Sequence, residues 1–277
     1  MINWREELVM KLSSDALIWC MVTEKNCNDK SGIYGLTQRD FAYNSNKIEG
    51  GTLTEDQTAT LFEEGFLPTS DEAYRVKDIE EMNGHFLMFN KMLSTIDEPL
   101  YEDMIKGFHY ELKAGVFEDR ANGYAIGDYK KRANIVNNLN TTLPKDVTKE
   151  MGELLDWYHS INNKSLETIA MFHASYELIH PFQDGNGRTG RLIMFRECLV
   201  NNICPFIIQD KNRSRYVTSL KKAQTENYYL DLVKYFEDEQ AGYMQQCQYF
   251  SVEDRYLECV HDKQFCNEEY SEDEPEI

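Results

Sequence analysis

Apolar residues recur along this chain at intervals of three and four rather than alternating, and only 6 prolines and 15 glycines interrupt them. A mainly helical fold follows. Leu8, Leu12, Ala16 and Trp19 form one stripe of an N-terminal helix, which the polar loop at 26–32 ends. Thr37 and Asp40 have the spacing of a polar pair that opens a helix, predicted to run through Phe41 and Ile48 and to stop at Gly50-Gly51. Thr54 opens another. A long helix is predicted over 71–94, with Val76, Ile79, Phe86, Leu87 and Phe89 among its apolar positions, and further helices over 101–114, 145–161, 165–179, 186–201, 211–224 and 228–250. The stretch 123–142 departs from this pattern: Gly123, Gly127, four asparagines between 134 and 140 and the β-leaning Ile135-Val136 predict a small hairpin or extended flap. Residues 267–277 carry six acids and no base, which predicts a solvated disordered tail.

Composition narrows the function. With 277 residues, 42% hydrophobic, the chain has material for a large core, so whole-chain disorder is excluded. The 29 Lys and Arg against 48 Asp and Glu leave a net charge of −19, which opposes passive binding to nucleic acid or anionic lipid. Phosphate chemistry here needs a few aimed donors. No apolar run approaches the about 20 residues that span a bilayer, and the charged residues among the first 19 argue against an export signal. Seven scattered cysteines without a CxxC pair fit reduced thiols in a cytoplasm. Cys259, His261 and Cys266 lack a fourth ligand at zinc spacing, so no metal is predicted there.

One segment concentrates chemistry: His180-Pro-Phe-Gln-Asp-Gly-Asn-Gly-Arg-Thr-Gly-Arg191. Gly185, Gly187 and Gly190 match the dinucleotide-binding spacing, but that motif needs a preceding strand, whereas Ile169, Phe172, Tyr176 and Ile179 stand at helical spacing. The physical alternative is a helix–loop–helix anion site. Pro181 breaks the first helix, Gly185 and Gly187 let the backbone turn with its N–H groups inward, and the next helix starts near Asn186. A helix N-terminus supplies unpaired N–H groups and partial positive charge for a polyphosphate. Arg188 and Arg191 point from one helix face and can grip two phosphates. Asp184 can hold a Mg²⁺ that bridges phosphates, and His180 can take a proton from an attacking hydroxyl. Phe182 is the loop's core anchor. His85, His109, His159 and His173 lie in apolar-periodic helices and read as core or capping residues.

This segment fills every defining position of the signature His-Pro-Phe-x-(Asp/Glu)-Gly-Asn-Gly-Arg-x-x-Arg, and the chain resembles the Fic family over about residues 80–240. The resemblance implies a Fic-type helical bundle with a β-hairpin flap over the active site. It implies transfer of AMP from ATP, with Mg²⁺, to a Ser, Thr or Tyr hydroxyl of a target protein, releasing pyrophosphate. It makes His180 the general base, Asp184 the metal ligand, Asn186 with Gly185, Gly187, Thr189, Gly190 and the neighbouring backbone the phosphate cradle, and Arg188 and Arg191 the holders of the β- and γ-phosphates. Phosphorylating members carry lysine where this chain has Gly187. Arg213-Ser-Arg-Tyr-Val217 followed by Gln224 resembles the helix lining the family's adenine pocket, which implicates Tyr216, Val217 and Gln224. Asn134, Ile135, Val136 and Asn137 fall where the family flap clamps a target segment by backbone pairing, with Tyr129-Lys130 in place of the usual Tyr-Arg.

Ser45-Asn-Lys-Ile-Glu49-Gly resembles the inhibitory motif (Ser/Thr)-x-x-x-Glu-(Gly/Asn) of the N-terminally autoinhibited Fic subclass. The carboxylate of Glu49 can accept both forks of Arg191 and deny that arginine to a γ-phosphate. The expected organisation is an N-terminal helical region, 1–75, with an inhibitory helix at about 37–50; a catalytic domain, 76–245; and a C-terminal helix end with acidic tail, 246–277. Two other functions fit the same residues: removal of AMP, with Glu49 aligning a water, and a non-catalytic nucleotide-sensing interaction module. The chain itself, through automodification, and a second copy in a homodimer are the remaining candidate partners.

Overall fold

The computed structural model describes residues 13–68, 73–136 and 139–269. The stripe positions Leu8 and Leu12 and the tail at 270–277 lie outside them. Helices dominate, in the order α1 (Ser14–Asn26), α2 (Ile33–Ile48), α3 (Glu55–Glu64), α4 (Val76–Ser94), α5 (Glu102–Lys113) and α6 (Phe117–Ala121). After the extended pair β1 (Ile135–Val136) and β2 (Leu139–Asn140) come α7 (Val147–Ser160), α8 (Leu166–Ile179) and α9 (Asn186–Val200). A 3-10 turn at Asp210–Asn212 then leads to α10 (Arg213–Glu226), α11 (Leu230–Tyr249) and α12 (Val252–Glu269). The ladder is antiparallel, with Ile135 opposite Asn140 and Val136 opposite Leu139. None of the described helices is long and apolar enough to cross a membrane.

Several boundaries differ from those the pattern predicts. Helix α2 starts a turn before Thr37, because its cap is long-range: a Glu24 carboxylate oxygen on α1 accepts the Tyr34 N–H at 2.7 Å. Gly32 leaves space for that carboxylate, since a Cβ there would overlap it. Thr37 is buried inside the helix, its hydroxyl 2.7 Å from that of Tyr243. The predicted end holds: Gly50 takes φ of +88°, and the Gly51 N–H returns to the Asn46 carbonyl. Thr54 and Gln57 form a capping box at α3. Helix α4 begins at Val76 rather than 71; residues 73–75 are not helical. The five residues of α6 are too few to show a period. Helix α12 stands where a helix end and tail are predicted, and residues 267–269 continue it. It is acidic and weakly amphipathic, and packs on α1 through Trp19 and Tyr256, ring centroids 6.0 Å apart, and an Arg255–Glu24 pair at 2.6 Å.

One apolar cluster runs from Ala16 to Val252 and draws on α1, α2, α4, α5, α8 and α9. Phe41 sits in it with its ring 6.1 Å from Phe89, 5.4 Å from Phe195 and 5.2 Å from His85. Burying a phenylalanine contributes about 1.5–3 kcal/mol, so α2 is part of the core and not a tethered appendage. Helices α4 and α5 approach so closely at Gly84 that a Cβ there would run into the Leu112 carbonyl. Gly84→Ala is expected to destabilise the protein by about 1–3 kcal/mol, read as a lowered midpoint of urea unfolding. An unchanged midpoint would contradict this contact.

Candidate active site

The loop between α8 and α9 is built around Phe182 and Asn186. Phe182 is fully buried and stacks on His109, with centroids 3.9 Å apart. The Asn186 amide spans the turn, accepting the Phe182 N–H at 2.7 Å and donating to its carbonyl at 2.8 Å. Its side chain, 1% exposed, thus shapes the loop, and only the backbone N–H groups at the start of α9 remain for an anion. Gly185 turns the chain at φ +85°. The buried Thr189 hydroxyl donates back to the Gly185 and Asn186 carbonyls and meets the Tyr176 hydroxyl at 2.7 Å.

The arginines lie on one face but do different things. Arg188, 2% exposed, pairs with Glu81 at 2.8 Å and donates to the Asn46 side chain at 3.1 Å. It is committed to carboxylate and helix α2, an engagement that three-residue spacing could not show. Arg191 reaches the end of α2: Nε donates to the Ser45 hydroxyl, and Nη2 to the Ser45 carbonyl, both at 2.9 Å. Nη2 also meets Glu49 Oε1 at 2.8 Å. The predicted two-fork grip of Glu49 on Arg191 is therefore corrected to a single contact, because the guanidinium edge formed by Nε and Nη2 is shared with Ser45. Burial would raise the Glu49 carboxyl, but Arg191, with Arg188 behind it, outweighs burial and holds it below the ordinary range. Gly187 makes room, since a Cβ would overlap Glu49 Oε1. Arg213 Nε donates to the Ile48 carbonyl at 2.9 Å, capping α2 beside Glu49.

Asp184 lies in a charged cage that one-dimensional spacing could not reveal. Its Oδ2 is 2.8 Å from Lys113 Nζ, which also touches Glu81 at 2.6 Å and Asp119 at 2.5 Å. The three carboxylates come within 4.8 Å of one another, but the ammonium already holds that space. Asp184 itself is 38% exposed and its Oδ1 accepts the Gly185 N–H at 2.7 Å. This donor set fits one carboxylate on a Mg²⁺ otherwise held by phosphate oxygens and water, and does not fit an all-protein metal cage. Burial opposes, and Arg188 and Lys113 together enforce, a carboxyl well below its usual range.

Glu49, His180, Gly187, Arg191, Tyr216, Val217 and Gln224 line one cavity of about 130 Å³, so the structure brings together residues from α2, α8, α9 and α10. Tyr216 is held by His173 Nε2, 2.7 Å from its hydroxyl, and Gln224 donates to the Ala174 carbonyl at 3.2 Å. His180 caps α8 at φ 53°, with Nδ1 3.4 Å from the Glu177 carbonyl. A proton on Nδ1 leaves Nε2 free to accept. Burial, reinforced by the Lys130 ammonium, lowers its pKa to about 4. Imidazole resonances of nitrogen-labelled protein are expected to show His180 neutral throughout pH 5.5–7.5, whereas an ordinary titration near about 6.5 would contradict this environment.

The base of the expected flap is tied to the same loop. The Lys130 N–H donates to the Pro181 carbonyl, and buried Lys130 Nζ reaches Asn134, Thr141 and the Ile179 carbonyl at 2.8, 2.7 and 3.2 Å. Asn134 Nδ2 donates to the Phe182 carbonyl at 3.2 Å. Ile135 is exposed; Val136 belongs to β1, and Asn137 lies outside the described residues. Sequence reasoning missed Glu81, Lys113, Asp119, Glu177 and Arg213; His109, read as a core or capping residue, is buried and its Nε2 stands 3.1 Å from the Asp184 carbonyl.

Residues 99–198 match the Fic/DOC family, and the chain carries a Fic domain. It is 28% identical over 184 residues to protein adenylyltransferase Fic of Nematostella vectensis, a match covering 65% of this chain and 42% of that protein. It is 25% identical over 187 residues to protein adenylyltransferase fic-1 of Caenorhabditis elegans, covering 66% and 36%. The chain thus matches less than half the length of these relatives. Among solved structures, a Fic-domain signaling protein of Bacteroides thetaiotaomicron superposes with a TM-score of 0.63 at 24% identity over 91% of both chains. Fic-1 of C. elegans gives 0.65 at 22% identity, covering 90% of this chain and 68% of that one. These likenesses establish the mainly helical Fic fold.

Proposed function

We propose that this protein transfers AMP from ATP to a hydroxyl side chain of a target protein, releasing pyrophosphate, and that Glu49 restrains it by occupying Arg191. The observation that carries the reading is the single cavity in which His180, Arg191, Tyr216, Val217 and Gln224 meet with Glu49 among them. In the step, the target hydroxyl oxygen attacks the α-phosphorus as His180 Nε2 takes its proton. The bond from that phosphorus to the pyrophosphate oxygen breaks. The N–H groups opening α9 receive phosphate oxygens, and Arg191 takes the terminal phosphate once Glu49 yields. Asp184 would hold Mg²⁺, which supplies charge neutralisation along the polyphosphate. A small unbranched Gly187, in place of lysine, supports adenylyl rather than phosphoryl transfer.

On this reading residues 1–75 regulate and 76–245 catalyse, while β1 offers its backbone edge to a target segment. The names of the adenylyltransferase relatives agree with it. Glu49→Gly protein incubated with ATP labelled either in adenine or on the γ-phosphate tests it. The adenine label is expected on protein and the γ label in pyrophosphate; γ label retained on protein would replace the proposal with phosphoryl transfer.

A further inference from the structure

Two acids line the cavity, and only one has a partner. Glu49 pairs with Arg191, whereas Glu177 Oε1 is buried with no hydrogen-bond partner among the described residues. Its side chain is 10% exposed, and Oε2 stands 3.9 Å from His180 Nδ1. A buried carboxyl oxygen left unpaired is a cost that a bound partner removes. The fold makes space for this carboxyl: a Cβ on Gly190 would lie 2.5 Å from Glu177 Oε1, as a Cβ on Gly187 would overlap Glu49. These two glycines of the first turns of α9 thus accommodate the two acids.

Position along α8 indicates what Glu177 meets. His180, at the helix end, serves the α-phosphate on the reading above. Two turns earlier, the Ala174 carbonyl anchors Gln224 beside Tyr216 and Val217, on the base side of the cavity. Glu177 lies between them, three residues or about 4.5 Å of helix rise from His180, where the sugar of a nucleotide spanning those two ends must pass. A ribose hydroxyl can donate to a carboxyl oxygen, and a carboxylate paired with a ribose hydroxyl is a recurrent solution in nucleotide sites. We propose that the Glu177 carboxyl hydrogen-bonds a ribose hydroxyl of the bound nucleoside triphosphate and makes the site discriminate against nucleotides that lack that hydroxyl. The proposal rests on the nucleotide-binding reading of the cavity.

The electrostatic surroundings are compatible. Burial raises the Glu177 carboxyl to about 8, with Arg191 of α9 opposing and Glu49 of α2 adding to the rise. His180 and Tyr176 on its own helix and Tyr216 of α10 complete the titratable neighbours. Protonated or ionised, the carboxyl keeps at least one accepting oxygen.

Calorimetry on the Glu49→Gly protein with ATP, 2′-deoxy-ATP and 3′-deoxy-ATP tests this. ATP is expected to bind at least about tenfold more tightly than one of the two analogues, the effect of leaving a buried polar group unpaired. Adding Glu177→Ala is expected to lower ATP affinity to that analogue's level while the analogue's own affinity stays within about twofold. The isosteric Glu177→Gln should keep part of the discrimination and guards against misfolding of the alanine variant. Equal affinity for all three ligands with Glu177 present, or an equal loss for all three without it, overturns the ribose assignment and leaves the nucleotide site standing. Failure of the Glu49→Gly protein to bind any of them overturns the nucleotide-binding reading and this proposal with it.

Discussion

Glu49→Gly is expected to raise AMP incorporation from ATP, into a target or into the protein itself, by at least about tenfold. A charge-assisted hydrogen bond contributes about 1.5–3 kcal/mol when shielded. The Glu49 side chain is 39% exposed and makes one contact rather than two, so solvent screening places the direct term at about the lower bound, which is about tenfold. Clearing the carboxylate from above Gly187 adds room for phosphate oxygens to that term. Ser45 still holds Arg191 in the variant through its hydroxyl and carbonyl, which limits the gain but keeps the guanidinium aimed. Adding His180→Ala should remove about 10²–10⁴ of the rate, the usual contribution of a positioned general base. Mass spectrometry of modified peptides from wild-type, Glu49→Gly and Glu49→Gly/His180→Ala proteins reads all three rates; equal modification in each would sink both the brake and the base. The Glu49 carboxyl is held below its ordinary range, so it stays ionised at neutral pH, and only strong acid should loosen its pairing with Arg191.

Lys113→Met is expected to cost about 3–5 kcal/mol of folding stability at pH 7, the penalty for removing one partner from a buried ionic cluster. The Lys113 side chain is 2% exposed, and Asp119, one of its three partners, 1%. Arg188 and Lys77 remain nearby but do not fill the vacated centre: Lys77 stands 3.8 Å from Asp119 and 3.9 Å from Asp184. Burial raises the Glu81 carboxyl, and Arg188 and Lys113 together pull it below its usual range; Asp184 is lowered likewise. Carboxyls depressed in the folded state contribute stability above their unfolded values of about 4 and lose it as pH falls further. The gap between wild type and variant should therefore persist from pH 7 to about pH 5 and narrow as pH falls below about 4 in urea unfolding curves. A gap that stays constant would assign the loss to packing, and one below about 1 kcal/mol would remove the cluster from the list of important interactions.

Much of the site was legible because its signals are local. His180 to Arg191 combine a helix break, positive-φ turn and helix start within twelve residues, and each of these is a property of consecutive residues. The end of α2 at Gly50 and the capping box at Thr54 were legible for the same reason. What could not be read were pairings between distant segments. Glu24 capping α2 from the preceding helix, Lys113 meeting Asp184 from 71 residues away and Glu177 left without a partner on Oε1 are set only when the helices pack. Asn186 and Arg188 show the same limit from the other side: the signature singles them out, but only contacts with Phe182 and Glu81 show that their side chains hold the loop and the core.

By itself, then, the sequence determined the helical character, the anion-binding turn, the resemblance to Fic proteins and the pairing of Glu49 with Arg191, all encoded in periodicity or in short motifs. The tertiary structure decided how that pairing is shared with Ser45, that α2 is anchored in the core by Phe41, which cation neutralises Asp184, and which acid lining the cavity has an oxygen without a hydrogen-bond partner among the described residues. The reason is physical: backbone turns and helix ends follow from adjacent residues, whereas the partner of a buried charge is chosen only when the chain closes around it.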